Sequence, residues 1–236
     1  MTTDPAADVA DVRDVRLVPA PAGGVWRLGK TSDPLGYDVL AAPDEDSTAG
    51  NAWSASTHGT LYCASRQDGC FAEALAPFRV HPDVRELVDL DWHEPYFVAP
   101  GKMVRDWSAK HTLLRLEPAK DSRFLDVDDD TTLKALATLL EPLLPALGVT
   151  RSELTRHHTL GSHRRLTRAI ARWAHTQTTP DGAPRIHGIA YKSRFGMRQC
   201  WALFDNTTVT RLESTYVFPE SEPLRTVAHE YGLQML

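Results

Sequence analysis

Thr60-Leu61-Tyr62-Cys63-Ala64-Ser65-Arg66-Gln67-Asp68-Gly69-Cys70-Phe71-Ala72-Glu73-Ala74-Leu75 changes its period halfway, and that change decides the fold. Residues 60–64 follow His58-Gly59, carry branched and aromatic side chains, and read as a strand. Ser65 then offers a side-chain oxygen to cap a helix over residues 66–78. Phe71, Ala74, Leu75 and Phe78 recur at three- and four-residue spacing, so they form the core face of that helix. Glu73 leaves from a different face. Its helical neighbours at three and four residues are Gly69, Cys70, Ala76 and Pro77, none of them a cation, so the carboxylate has no local salt-bridge partner. An acid among small apolar side chains suits close approach of a ligand, and burial there raises its proton affinity.

Upstream of this corner, Val25-Trp26-Arg27-Leu28 reads as a first strand after the Pro/Gly-rich residues 19–24. The acidic, Ala/Asp-rich start lacks the basic and apolar runs of a secretory signal, and residues 1–22 are expected to be a disordered tail. Residues 33–50 contain Pro34, Gly36, Pro43 and the cluster Asp44-Glu45-Asp46, and read as a long surface loop of the kind that holds ligands.

Downstream, residues 82–100 read as irregular and a short helix is expected around residues 104–107. Strands are expected at 112–116 and 124–127, with Asp128, Asp129 and Asp130 capping a helix that bears Leu133, Leu136, Leu140 and Leu143. Ser162 is placed to cap another, with Leu166, Ile170 and Trp173 facing the core. Three strands at 186–191, 200–204 and 209–212 and a helix at 224–231 complete the chain. Strands and helices do not alternate regularly, so the class expected is α+β rather than a doubly wound sheet. The domain expected spans 23–218, followed by a helical C-terminal extension at 219–236.

With 236 residues, 42% of them hydrophobic, the chain can bury a full core. A net charge of -5 argues against coating a nucleic-acid backbone, which needs a positive field, but a small anion needs only one or two local cations. Direct binding of nucleic acid is therefore not expected. Cys63, Cys70 and Cys200 are odd in number and form no CxxC pair, which points to a reducing, cytoplasmic setting without a cysteine metal site. The most apolar stretch, 133–147, is broken by Glu141, Pro142 and Pro145, so no membrane span is expected. His157, His158 and His163 lie among Arg156, Arg164 and Arg165; that positive surrounding opposes a metal, and the cluster reads as a solvated helix start. Asp126, Asp128, Asp129 and Asp130 lack the Gly and closing Glu of a calcium loop.

A second signature lies near the C-terminus, where Gly188-Ile189-Ala190-Tyr191-Lys192-Ser193-Arg194 delivers a Ser at a strand end. Cys200-Trp201-Ala202-Leu203-Phe204-Asp205 then returns on an apolar strand. Together with Trp26-Arg27-Leu28 and the corner bearing Tyr62 and Glu73, these segments resemble the RES family, named for its Arg, Glu and Ser. The resemblance implies a fold like that of ADP-ribosyltransferase toxins, with small packed β-sheets surrounded by helices. It also implies a site that cleaves NAD at the nicotinamide–ribose bond. NAD is then a substrate and not a cofactor, with inorganic phosphate or water as acceptor. An Xre-type antitoxin is the protein partner implied, and a homo-oligomer is compatible with the sequence. The alternatives are ADP-ribosylation of a protein and a non-catalytic nucleotide-binding protein on the same fold.

On this resemblance Glu73 would stabilise the oxocarbenium-like sugar, and Arg27 would hold the pyrophosphate or a phosphate through its fork of donors. Tyr62 would pack on nicotinamide or ribose. Ser193 would donate a hydrogen bond to ribose or phosphate rather than act as a nucleophile, since no Gly-x-Ser-x-Gly turn surrounds it. Tyr191, two residues away on the same strand face, either lines the pocket or packs in the core, and Arg194 would assist with phosphate. Trp53 marks a departure. Many members carry Gly-Arg-Trp, whereas this chain has Gly50-Asn51-Ala52-Trp53, so one cation is missing and Arg27 is expected to take a larger share.

Overall fold

The structure is a computed structural model that describes residues 14–80, 101–104, 106–160 and 163–235. Its strands are β1 (Leu17–Val18), β2 (Val25–Lys30), β3 (Thr60–Ala64), β4 (Lys102–Met103), β5 (His111–Pro118), β6 (Phe124–Asp126), β7 (Gly188–Lys192), β8 (Gln199–Phe204), β9 (Val209–Tyr216) and β10 (Gln234–Met235). The α-helices among the described residues are α1 (Gln67–Leu75), α2 (Asp130–Leu139), α3 (Arg156–Thr159), α4 (Arg164–His175) and α5 (Glu222–Glu230). The class is α+β, as the irregular order of elements predicts.

Eight strands join in the order β1-β6-β7-β8-β3-β2-β5-β9, while β10 pairs with β4 in a separate two-stranded ribbon. Within the large sheet only β6 and β7 run parallel. The seam between β3 and β2 is a single pair, Trp26 opposite Ala64. On either side of it the ladders are continuous, five pairs between β3 and β8 and six between β2 and β5. Two smaller sheets are thus hinged at one point. Leu114 of β5 and Phe124 of β6 share one buried cluster although four strands lie between them, so the sheet curls onto itself.

Strand β8 shows how that curl is encoded. Trp201 and Leu203 enter the cluster inside the curl, whereas Ala202 and Phe204 enter the one formed with α2 and α4. A period of two thus buries both faces, and the strand reads as a continuous apolar run. Helix α1 packs on the other half with α5, where Phe71 and Leu75 meet Leu224 and Val227. Gly69 makes this approach feasible: a Cβ there would lie 2.7 Å from that of Ala64.

Several expectations are corrected. Leu17–Val18, placed in the tail, pairs with Leu125 and Phe124 of β6, and the Arg16 amide donates to Thr132 Oγ1 at 2.9 Å. Val15 and Leu17 supply the apolar contacts that hold this edge; residues 1–13 lie outside the described set. Ser65 does not cap α1. Arg66 occupies the cap position with no side-chain bond, and Ser65 Oγ accepts from Trp201 Nε1 at 2.9 Å. Asp129 does cap α2, accepting from the Thr132 amide, but that helix stops at Leu139, three residues before Pro142, a ring that cannot continue it. A 3-10 turn at Ser108–Lys110 takes the place of the short helix at 104–107, of which Arg105 lies outside the described residues. The irregular segment 82–100 and the Ser162 cap also fall outside them. No helix among the described residues is long and apolar enough to cross a membrane.

Candidate functional site

Where β2 and β3 part beyond their single pair, a cleft of about 790 Å3 opens, lined by residues of both strands, of α1 and of the end of β7. Glu73 of α1 lines it. Burial holds the Glu73 carboxyl above the usual range, opposed by a hydrogen bond from Ser193 and by the charges of Arg194 and Arg164. The acid therefore stands in a low-dielectric wall without a direct ion pair among the described residues, as its small-residue helical surroundings predict.

Ser193 is buried and its Oγ accepts from the Phe195 amide at 2.9 Å, which leaves the hydroxyl hydrogen for Glu73. It lies behind the carboxylate and does not line the cleft. A tight turn locks it there, with Ser193 N–H donating to Arg198 O at 2.8 Å and Met197 N–H to Ser193 O at 3.0 Å. Arg198 in turn pairs with Asp68 of α1 and Glu230 of α5. The hydroxyl, expected to reach ribose or phosphate, here interacts with the acid.

Arg27 lines the cleft, but its fork is engaged by main-chain oxygens. Nε donates to Pro34 O at 2.9 Å, Nη2 to Gly36 O at 2.6 Å and Nη1 to Tyr62 O at 3.3 Å. It bridges the splayed strands and anchors the loop after β2. The larger anion-binding share expected for it meets this competing commitment.

Tyr62 is half-buried, and its hydroxyl is engaged by the loop at residues 53–54. It accepts from the Trp53 amide at 2.9 Å and shares a 2.8 Å hydrogen bond with Ser54 Oγ, which donates to Asp38 Oδ2 at 2.5 Å. Burial raises the phenol pKa. The hydroxyl is spent on the loop, so the ring is what Tyr62 presents to the cleft, in keeping with a packing role. Trp53 is fully buried, its ring 5.6 Å from that of Tyr191, and its indole Nε1–H has no acceptor among the described residues. Tyr191 both lines the cleft and packs against the core, so its two readings are not exclusive. Arg194 is exposed, also lines the cleft, and lies over the Phe195 ring with its guanidinium carbon 4.7 Å from the centroid.

Sequence reasoning missed two groups. The chain Asp38-Ser54-Tyr62 joins residues distant in sequence and has no local signature. Arg164 lines the cleft, although the basic cluster containing it reads as solvated. A signal was available: Arg164, Arg168 and Arg172 recur every four residues on α4, a stripe of which Arg168 and Arg172 hold the acidic loop at 44–46 while Arg164, at its start, reaches the cleft. Cys63, Cys70 and Cys200 are buried and free, with burial pushing the Cys63 thiol up to about 12, so they are not thiolates at neutral pH. Among the described residues no three His, Cys, Asp or Glu side chains are placed to hold a metal ion.

Fold and cleft together define a mixed α+β protein whose two sheet halves open around the half-buried carboxylate of Glu73. The chain belongs to the RES family, the RES domain matching residues 24–224. The crystal structure of the M.tuberculosis MbcT-MbcA toxin-antitoxin complex is similar at 10% sequence identity and a TM-score of 0.46, covering 96% of this chain and 96% of that one. A comparison with curated proteins found no match.

Proposed function

We propose that this chain is an NAD-consuming enzyme that cleaves the nicotinamide–ribose bond, with inorganic phosphate or water as acceptor. The observation that carries the reading is Glu73, a half-buried carboxylate in the cleft wall that forms no ion pair among the described residues. As the C1′–N bond breaks, its electron pair goes to the pyridinium nitrogen and neutral nicotinamide leaves. The sugar becomes oxocarbenium-like, and a nearby anion in a dry wall lowers the energy of that charge. An oxygen of phosphate or water then bonds to C1′, water losing a proton in the process. Tyr62, held by Trp53 and Ser54, offers a fixed ring face for nicotinamide or ribose. Residues 23–218 would carry these groups.

Family membership extends the proposal to a toxin restrained by an Xre-type antitoxin, which co-purification of the two proteins would test. Measuring nicotinamide release with and without phosphate tests the activity itself. Release that needs phosphate marks a phosphorylase, release in its absence a glycohydrolase, and no release from folded protein in either condition rules the reading out.

A further inference from the structure

We infer that Arg164, the first residue of α4, is a phosphate-binding residue of the cleft. The inference rests on the NAD reading above for the identity of the ligand, but on geometry for the site. Arg164 is half-buried and lines the same cleft as Glu73, Tyr62 and Ala52. No described residue bonds to its guanidinium. The other arginines of the helix are all engaged: Arg165 with Asp46 at 2.9 Å, Arg172 with Glu45, and Arg168 with the carbonyls of Asp44, Glu45, Ser47 and Ala49.

The surroundings make an empty Arg164 costly. Burial and the charges of Arg194 and Arg168 disfavour its cationic form, opposed by Tyr62 and Glu73. A guanidinium keeps its proton under such pressure, so a bound anion is what relieves the field. Arg27, the other cleft arginine near Tyr62, already donates to three carbonyls. The placement is built in. Thr167, one turn along α4, donates its hydroxyl to Ala52 O at 2.5 Å, which ties the helix to the cleft-lining segment just before Trp53. A planar fork from a neighbouring helix thus reaches the cleft from beside that same position.

The chemistry recognised is a phosphate oxygen, supplied either by the pyrophosphate of the dinucleotide or by free inorganic phosphate. Calorimetric titration of the full chain with ADP-ribose, inorganic phosphate and phosphate-free nicotinamide riboside separates the sources. For Arg164→Gln, affinity should fall by about tenfold or more for at least one phosphate ligand, with that for the riboside unchanged. Arg164→Lys should recover part of the loss, and Arg165→Ala should behave as the parent. Loss confined to ADP-ribose assigns the pyrophosphate, and loss confined to inorganic phosphate assigns the acceptor. If Arg164→Gln does not fold, a weakening of about threefold or more in Arg164→Lys carries the test. The inference fails if both phosphate affinities are unchanged, if riboside binding falls equally, or if the parent binds neither phosphate ligand. A parent that binds phosphate through Arg164 but releases no nicotinamide would keep this site and sink the proposed activity; release indifferent to Arg164 would do the reverse.

Discussion

At the scale of single residues, the role proposed for Glu73 is tied to stability through the same proton. Its carboxyl titrates above the ordinary value near 4.3 because burial penalises the anion, so the folded state holds the proton more tightly than the unfolded one. That contribution to stability is present below the unfolded pKa and lost as pH rises through the folded one. The proposed reaction needs the anion, so the rate should fall as pH drops through the same raised value. Glu73→Gln should abolish nicotinamide release and, by removing a buried charge, raise the melting temperature at pH 7. Thermal melts and release assays on one preparation check both; an active variant, or one melting well below the parent, contradicts the assignment. Ser193→Ala should act through Glu73. Losing a hydrogen bond to an anion costs roughly 1.5–3 kcal/mol, or about ten to a few hundredfold in rate. It should also move the acid limb of the pH–rate profile to higher pH, which a merely structural serine would not do. An unshifted limb with parental rate would remove Ser193 from the site. Glu73 was legible because a helix exposes its own i±3 and i±4 neighbours in sequence. The contacts of Arg27 were not, since its acceptors are main-chain oxygens 7, 9 and 35 residues away, which any residue types supply.

At the scale of elements, the pattern periods located the central strands, with β3 on residues 60–64 and β8 extending 200–204 by one residue, but β9 runs four residues past the expected 212 and the two-residue strands β1, β4 and β10 were not foreseen. Ends and caps were harder, because Ser65 had a tertiary alternative in the Trp201 indole that local rules cannot see. The same limit hid the role of α4. Its arginine stripe straps the loop before Trp53, with Arg168 fully buried and donating to the carbonyls of Asp44, Glu45, Ser47 and Ala49. Arg168→Met keeps much of the volume but strands those oxygens, at a cost of about 2–4 kcal/mol. Denaturant unfolding should show that loss, and hydrogen exchange should speed up for amides of residues 44–56 before those of β7 or β8. Uniform acceleration across the chain would mean that Arg168 supports the core generally and not this loop.

At the scale of the whole molecule, the cleft exists because two sheets meet at one residue pair and are held from outside. Helix α5 is one of those outer supports, although its residues lie in the stretch read as an extension. Leu224 and Val227 are fully buried against Phe71 and Leu75 of α1, and Tyr231 donates its hydroxyl to Ala72 O at 3.1 Å. Glu230 holds Arg198, which closes the turn behind Ser193. The helix therefore touches both carriers of the proposed chemistry without entering the cleft. Burying two such side chains contributes roughly 3–6 kcal/mol, a large part of the about 5–15 kcal/mol that stabilises an ordinary domain. A chain ending at Phe218 should accordingly fail to unfold cooperatively and should release no nicotinamide. Leu224→Ala is the gentler probe, expected to cost about 2–5 kcal/mol by leaving a cavity under α1. Its residual activity should track the folded fraction, since no cleft residue is changed. If the shortened chain melted like the parent and kept its activity, α5 would be an appendage, and the position of α1 would have to be secured by the sheet alone.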